Sequence, residues 1–80
     1  MFDITRYGAV GDGVTMNTAA IQAAIDDAAK VHGTVYFPDG VFLTGTILLE
    51  GVSLHLEAGA VIKASTDLAD YPVQPYFHNE

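Results

Sequence analysis

The stretch TVYFPDGVFLTGTILLEGVSLHLEAGAVIKA, residues 34–64, carries the pattern that decides the fold. It contains short apolar or alternating runs at residues 34–37, 41–43, 46–49, 52–57 and 60–64. Such runs predict β-strands, and the breaks PDG, TG, EG and AG between them predict turns. In the longest run Val52, Leu54 and Leu56 share one face, so a half-buried strand is predicted there.

Two architectures fit this pattern. The breaks could be hairpin turns of an antiparallel meander that packs against one helix. They could also be corners of a coil whose successive strands stack in parallel, as in a β-solenoid. The repeated glycine corners after very short strands favour the solenoid.

Residues 18–31 precede this stretch and have a helical period. Their apolar stripe comprises Ile21, Ala24, Ile25 and Ala28. Thr15 and Asn17 are both candidate N-caps, and Gly33 stands where a left-handed C-terminal cap is expected. This pattern predicts one amphipathic helix, with an ion pair between Asp26 and Lys30 on its polar side.

The glycine-rich stretch YGAVGDGVT, residues 7–15, lies between this helix and the short strand predicted within FDITRYGAV, residues 2–10. Its order, G-x-x-G-x-G, differs from dinucleotide and phosphate-loop motifs. A helix N-terminus attracts anions, but the Asp12 carboxylate would oppose a phosphate there. We therefore predict a structural turn in which each glycine can take a positive φ.

The composition excludes several classes of function. Half of the 80 residues are hydrophobic and 16% are charged, which is typical of one small globular unit. So much apolar content fits either an ordinary compact core or some apolar surface that faces a partner. The net charge of −7 argues against nucleic-acid and membrane-surface binding. No cysteine, signal peptide or membrane-spanning run is found in the sequence, and its compartment stays open: cytoplasmic, or secreted or periplasmic with a leader outside this sequence.

The ionisable residues form no pattern typical of an active site. Asp26 and Asp27 are helix neighbours, whose side chains point about 100° apart. The three histidines, His32, His55 and His78, lack metal-ligand spacing. The serines Ser53 and Ser65 lack a nucleophile elbow. We therefore predict no catalytic, cofactor-binding or metal-binding residue in the chain, and no cofactor.

From about Phe2 to Pro72 the sequence resembles the N-terminal region of polygalacturonase-like enzymes, glycoside hydrolase family 28. The resemblance rests on YGAVGDGVT, on the helix NTAAIQAAIDDAA, and above all on LHLEAGAVIKASTDLADYP, residues 54–72. The first block alone is also similar to the start of pectate-lyase-like and phage tailspike β-helices.

This resemblance implies a mostly β fold with one capping α-helix, the N-terminal cap and first coils of a right-handed parallel β-helix. It also implies a parent enzyme that hydrolyses α-linked galacturonic acid in pectin by inversion, with paired acidic residues. The family's catalytic motifs, Asn-Thr-Asp, Asp-Asp, Gly-His-Gly and Arg-Ile-Lys, lie on later coils. None of these motifs can be carried over to this sequence. Asn17 and Thr18 are followed by Ala19, not by aspartate, and the Asp26-Asp27 pair lies in the cap helix. Gly-His-Gly and Arg-Ile-Lys do not occur in the sequence.

Three segments of one structural unit are predicted: strand, glycine turn and cap helix at 1–33, first coils at 34–66, and an irregular tail at 67–80. The predicted core positions are Ile21, Ile25, Val35, Phe37, Leu43, Ile47, Leu49, Val52, Leu54, Leu56 and Ile62. The expected partners are the remaining coils of a parent enzyme, or a second copy at the open end of the solenoid. Pectin would be a ligand of the full-length parent only.

The predicted function is that of the N-terminal β-helix segment of a polygalacturonase-like glycosidase, inactive by itself. The alternative is a capping or oligomerisation module, or the head of a tailspike-like carbohydrate binder, without catalysis.

Overall fold

The computed structural model describes residues 1–65, which form six strands, one α-helix and one 3₁₀ helix. In chain order the elements are β1 (Phe2–Asp3), the 3₁₀ helix (Ile4–Tyr7), β2 (Asp12–Met16), α1 (Thr18–Ala29), β3 (Thr34–Phe37), β4 (Gly40–Thr44), β5 (Ser53–Leu56) and β6 (Ala60–Ala64). The predicted tail at 67–80 lies outside the described residues.

The strands form two three-stranded parallel sheets, ordered β1-β3-β5 and β2-β4-β6. The chain alternates between the sheets, so that each strand pairs with one from the preceding turn. Val35 lies beside Leu54, 19 positions later, and Val41 lies beside Val61, 20 positions later. Parallel pairing throughout the described strands contradicts the antiparallel meander and agrees with a stacked coil.

The core lies between the two sheets and under α1. Its buried apolar members are Ile4, Ala9, Ile21, Ala24, Ile25, Ala28, Val35, Phe37 and Phe42. The helix packs this side of its surface against β1, β3 and β4. Phe37 on β3 and Phe42 on β4 meet edge to face with ring centroids 6.2 Å apart, so their contact joins the two sheets.

The predicted core is confirmed near the helix and wrong further along the chain. Ile21, Ile25, Val35 and Phe37 are buried, and Ile47 and Val52 are partly buried against the core. Leu43 was predicted inside, but Phe42 occupies the inner face because β4 alternates in the opposite phase. Four further predicted core residues are exposed: Leu49, Leu54, Leu56 and Ile62. The last three lie on β5 and β6, the outermost strands of the two sheets, where no described residue packs over them.

The first predicted strand is shorter than expected, and the glycine stretch holds a strand that was not predicted. Asp3 accepts hydrogen bonds from the Thr5 amide (2.9 Å) and hydroxyl (2.7 Å), which starts the 3₁₀ helix directly after β1. Gly8, with φ 99°, ends that helix. Residues 12–16 then pair with β4, so the predicted turn is partly a strand.

The run 46–49 was predicted as a strand, and the structure has none there. The backbone of Leu48, within this run, bonds to a side chain of α1 and not to a neighbouring strand. The Leu48 amide donates to Gln22 Oε1 (2.8 Å), and Gln22 Nε2 donates to the Leu48 carbonyl (3.2 Å). The Gly45 amide donates to Thr18 Oγ1 at 2.7 Å, which fixes the start of the same loop to the helix.

The C-terminal end of α1 also departs from expectation. The helix ends at Ala29 rather than at residue 31, and His32, not Gly33, takes the left-handed conformation, with φ 51°. Gly33 is needed for a different reason, since a Cβ there would lie 2.7 Å from the Phe2 ring. Lys30 pairs with Asp27 at 3.2 Å and not with Asp26.

Candidate functional site

In the glycine-rich stretch, the carboxylate of Asp12 accepts hydrogen bonds from donors of the same loop. Asp12 Oδ1 accepts from the amides of Val14 (3.0 Å) and Thr15 (2.8 Å), and Oδ2 accepts from the Thr15 hydroxyl (2.7 Å). These bonds, led by the Thr15 amide, lower the pKa of Asp12 to about 2. The carboxylate thus uses donors that a phosphate would need, which supports the structural interpretation of this stretch.

The glycines of this stretch differ in purpose. Gly8 and Gly13 have positive φ, as predicted, but Gly11 does not. A Cβ at Gly11 would lie 2.9 Å from Phe42 Cζ and 3.1 Å from the Gly40 Cα. Gly11 therefore allows close packing between the loop and β4, and the loop leaves no room for a ligand on that side.

Asn17 was predicted to cap α1 and instead supports the glycine-rich loop. It is at the N-cap position, but its side chain makes no cap hydrogen bond. Its Oδ1 accepts from the Val10 amide (2.8 Å), and its Nδ2 donates to the Val10 carbonyl (3.0 Å). Its own amide donates to the Leu43 carbonyl at 2.9 Å. Asn17 is almost fully buried and so ties the loop, β4 and α1 together.

The adjacent carboxylates Asp26 and Asp27 bind separate partners. Asp26 accepts from Gln22 Nε2 at 3.0 Å. Asp27 accepts from the Tyr7 hydroxyl at 2.8 Å and from Lys30 Nζ at 3.2 Å. The Tyr7 bond lowers the pKa of Asp27 and raises the pKa of Tyr7. Each carboxylate therefore has its own local partners, as on a solvated helix face, and the lowered pKa keeps Asp27 ionised at neutral pH.

The outer face of the first sheet carries a polar cluster built from Tyr36, His55 and Glu57. Tyr36 and His55 are register partners on β3 and β5, and their rings stack at 5.7 Å with 24° between planes. The Tyr36 hydroxyl donates to Glu57 Oε2 at 2.8 Å, which raises the pKa of Tyr36. His55 Nε2 lies 3.8 Å from the same oxygen. The cluster holds one carboxylate, whereas inverting hydrolysis requires two that face a common bond.

The remaining candidates are dispersed. His32 lies at the end of α1, and His78 lies outside the described residues. The Ser53 amide donates to the Gly33 carbonyl and the Ser65 amide to the Thr44 carbonyl, as strand residues do. Within residues 1–65, no group of three or more histidine and acidic side chains could hold a metal ion, and no pocket is formed. No helix in that part of the chain has the length and hydropathy that a membrane crossing requires.

The comparison with solved structures gives the class of this fold. With the family 28 exopolygalacturonase of Yersinia enterocolitica the TM-score is 0.81 at 38% identity, over 94% of this chain and 14% of that one. The described residues are mostly β with one helix, and their structural neighbours are pectin-lyase-like β-helix proteins.

The sequence comparisons give the family. Residues 1–70 match the family model described as rhamnogalacturonase A/epimerase, pectate lyase-like. The chain belongs to this family, and its polygalacturonase relatives confirm the resemblance to glycoside hydrolase family 28. It is 47% identical over 73 residues to an exo-poly-alpha-D-galacturonosidase from Dickeya chrysanthemi, which covers 90% of this chain and 12% of that protein.

The chain is also similar to proteins with other names. The chain is 41% identical over 73 residues to plasmin and fibronectin-binding protein A of Streptococcus pneumoniae, covering 86% of this chain and 10% of that protein. It is 55% identical over 42 residues to mannuronan C5-epimerase AlgE5 of Azotobacter vinelandii, covering 51% of this chain and 4% of that protein. The chain thus spans a small fraction of each of these relatives.

Proposed function

We propose that this chain forms the N-terminal cap and first coils of a right-handed parallel β-helix. Residues 1–33 would provide the first strand, the glycine loop and the cap helix, and residues 34–66 the first coils, within one structural unit. The support is the register of the two sheets, in which β5 and β6 repeat β3 and β4 after 19 and 20 positions. The packing of α1 against β1, β3 and β4 supports its role as the cap.

The proposed function is that of the N-terminal segment of a polygalacturonase-like glycoside hydrolase. The hydrolase would act on α-galacturonosyl linkages of pectin by inversion. The observation that carries this proposal is the 47% identity to an exo-poly-alpha-D-galacturonosidase over nearly the whole chain. The remaining coils of such an enzyme would be the principal partner of this segment, and pectin would bind only to the whole hydrolase.

The segment by itself is proposed to be inactive, because three of the carboxylates within residues 1–65 that could serve as acid or base have structural partners. Asp12 is held by three hydrogen bonds from its own loop, Asp27 by Tyr7 and Lys30, and Glu57 by Tyr36. Inversion needs an acid and a base about 6.5–9.5 Å apart with room for water and sugar between them. The hydrolytic residues would then belong to other coils of the enzyme.

A chimera tests this division of roles. The segment of the Dickeya chrysanthemi relative that aligns with this chain is replaced by this sequence, and release of reducing ends from polygalacturonate is measured. The proposal expects a folded chimera that retains the activity of the parent. A matched chimera carrying Asn17→Ala should lose thermal stability while its activity at low temperature persists. A folded chimera without activity would show that the replaced segment contributes to chemistry, against the proposal.

The similarity to the pneumococcal protein supports a second candidate, a non-catalytic module. The name of that relative states binding to plasmin and fibronectin, and the identity covers 86% of this chain. A capping or oligomerisation module, or the head of a tailspike-like carbohydrate binder, belongs to the same class. Saturable binding of this chain to immobilised plasmin or fibronectin would favour this class, and a flat response equal to that of an albumin surface would favour the hydrolase segment.

A further inference from the structure

The sequence contains two Asp-Gly pairs, Asp12-Gly13 and Asp39-Gly40. In an Asp-Gly pair the aspartate can rearrange its peptide bond to isoaspartate, because glycine has no side chain to shield its amide nitrogen from the neighbouring carboxyl group. Both aspartates are exposed, but the hydrogen bonds that hold them differ in origin. The structure therefore distinguishes the two pairs, although their sequences are alike.

The rearrangement needs water and no other reagent. The amide nitrogen of the glycine bonds to Cγ of the neutral aspartic acid, and the carboxyl hydroxyl leaves with the amide hydrogen as water. The succinimide ring that results then takes up one water. When water adds at the backbone carbonyl of the aspartate, the bond from that carbonyl to the nitrogen breaks and the peptide bond runs through Cγ. The product is isoaspartate, with no net change in composition.

At Asp12 the carboxylate is held by donors of its own loop. Oδ1 accepts from the amides of Val14 and Thr15, and Oδ2 accepts from the Thr15 hydroxyl. These donors lie two and three positions from Asp12, so the bonds depend on no other turn of the chain. Because the pKa of Asp12 is lowered to about 2, its neutral acid form is also roughly fifty-fold rarer than that of an ordinary aspartate at about pH 6.

At Asp39-Gly40 both reacting groups are held by one residue of the next turn, Gly59. The Gly59 amide donates to Asp39 Oδ1 at 3.1 Å, and the Gly40 amide donates to the Gly59 carbonyl at 3.1 Å. Gly59 follows Asp39 by 20 positions and lies between β5 and β6, whose residues are mostly exposed. Segments with little buried surface open at a lower free energy than the core. Opening of this turn therefore releases the carboxyl group and the amide together.

We propose that Asp39 is the aspartate of this chain that converts to isoaspartate, and that Asp12 is protected from the same reaction. The reaction at Asp39 proceeds when the turn at Gly59 separates from it. The bonds within the loop of Asp12 persist during that opening, so Asp12 stays unreactive. The proposal rests on these contacts and holds whether or not the hydrolase function is correct.

The modification would disturb the corner between β3 and β4. Isoaspartate lengthens the backbone by one carbon atom directly before Gly40. This corner has little room for a longer chain, because a Cβ at Gly40 would lie 3.2 Å from the Gly11 Cα. The modified chain should therefore melt at a lower temperature than the unmodified chain.

Tryptic peptide mapping of the folded chain, after prolonged incubation at about pH 6, tests the proposal. Trypsin places the two pairs on separate peptides, residues 7–30 and 31–63, and electron-transfer fragmentation identifies isoaspartate in each. The isoaspartate content at Asp39 should exceed that at Asp12 by at least about tenfold. In guanidinium chloride, where the hydrogen bonds of both sites are lost, the two aspartates should react at similar rates.

Two variants change the sites separately. A Cβ at Gly59 would lie 2.9 Å from Asp39 Cγ, so in Gly59→Ala the carboxylate must leave the Gly59 amide. Isoaspartate should then rise several-fold at Asp39 and stay unchanged at Asp12. Thr15→Val is the reciprocal variant: it removes the hydroxyl bond to Asp12 Oδ2 and should raise isoaspartate at Asp12 only.

The wild-type comparison needs no variant, so it stands even if Gly59→Ala fails to fold by circular dichroism. Isoaspartate at Asp12 equal to or above that at Asp39 in the folded chain would overturn the proposal, as would its absence from both sites. A preference for Asp39 that persists in guanidinium chloride would show that the hydrogen bonds do not cause it. A folded Gly59→Ala chain with unchanged isoaspartate at Asp39 would likewise contradict the role of Gly59.

Discussion

Replacing Asn17 by alanine should destabilise the fold more than any other change of one polar side chain among the described residues. Asn17 is 1% exposed, and its amide group makes a reciprocal pair of hydrogen bonds, of 2.8 and 3.0 Å, with the Val10 backbone. The same residue donates its backbone amide to β4 and accepts the first bond of α1 from Ile21. These backbone bonds survive the substitution, so the change isolates the side chain.

The magnitude follows from the bonds removed. Each hydrogen bond contributes about 1 kcal/mol net, and a polar group left without a partner in the interior costs about 1–3 kcal/mol. The Val10 backbone lies in a partly buried environment, so the total loss should be about 2–4 kcal/mol. For a domain of this size each kcal/mol lowers the midpoint of thermal unfolding by about 4–8 °C. We expect Asn17→Ala to melt on the order of 10–30 °C below the wild type.

Asn17→Asp is the sharper comparison, because it keeps the shape of the side chain. One carboxylate oxygen can still accept from the Val10 amide, but the other now faces the Val10 carbonyl, where Nδ2 donated at 3.0 Å. The variant should be destabilised at pH 7 and recover part of the loss near pH 4, where protonation restores a donor. Urea titrations followed by far-UV circular dichroism measure both variants. A loss below about 1 kcal/mol for Asn17→Ala would show that the two bonds to Val10 do not hold the loop in place.

Other predictions concern Asp12, Gly11 and the two hydrogen bonds between the Gln22 side chain and the Leu48 backbone. Because the folded pKa of Asp12 is lowered to about 2, its bonds stabilise the fold above about pH 4, and this contribution disappears as the pH falls towards 2. Asp12→Asn should therefore flatten the fall of melting temperature between pH 4 and pH 2; an unchanged slope would contradict this. Gly11→Ala should lower the free energy of unfolding in urea titrations by about 1–3 kcal/mol, because its Cβ would lie 2.9 Å from Phe42 Cζ. Wild-type stability would show that the Phe42 ring moves away without cost. Gln22→Ala should lower the free energy of unfolding by about 1 kcal/mol and speed hydrogen exchange at the Leu48 amide. Exchange at the wild-type rate would show that the Gln22 side chain does not protect this amide.

The parts of the fold that could be predicted from sequence are those with a clear period. The apolar stripe of α1 places Ile21, Ala24, Ile25 and Ala28 inside, and all four are buried. Strands at 34–37 and 60–64 occur at the predicted residues. In these segments local propensity and burial agree.

The parts that could not be predicted depend on pairing between distant residues. β2 contains Gly13 and only two apolar residues, Val14 and Met16, which are both exposed, so its pairing with β4 leaves little periodic signal. The run 46–49 has strand composition, but the side chain of Gln22 takes the backbone bonds of Leu48. The exposure of Ile62 follows from its place at a sheet edge, which the alternation within a strand does not reveal.

In the candidate site, too, some features could be predicted from the sequence and others depend on contacts between distant residues. The sequence indicates that Asp12 is unsuited to a phosphate site, and the hydrogen bonds to that residue agree. The bridge from Asn17 to Val10 was missed, because an asparagine before a helix is interpreted as a cap. The stack of Tyr36 on His55 depends on parallel register, which becomes visible only once the strands are paired.

This segment is proposed to supply structure, while the hydrolytic residues of such an enzyme lie on other coils. Release of reducing ends from polygalacturonate by the purified 80-residue chain tests it most directly, with an active exopolygalacturonase as the positive control. The rate should equal that of the buffer blank at every pH at which the chain is folded. Turnover above the blank that is lost in a variant of Asp27 or Glu57 would contradict it, because those carboxylates would then be catalytic.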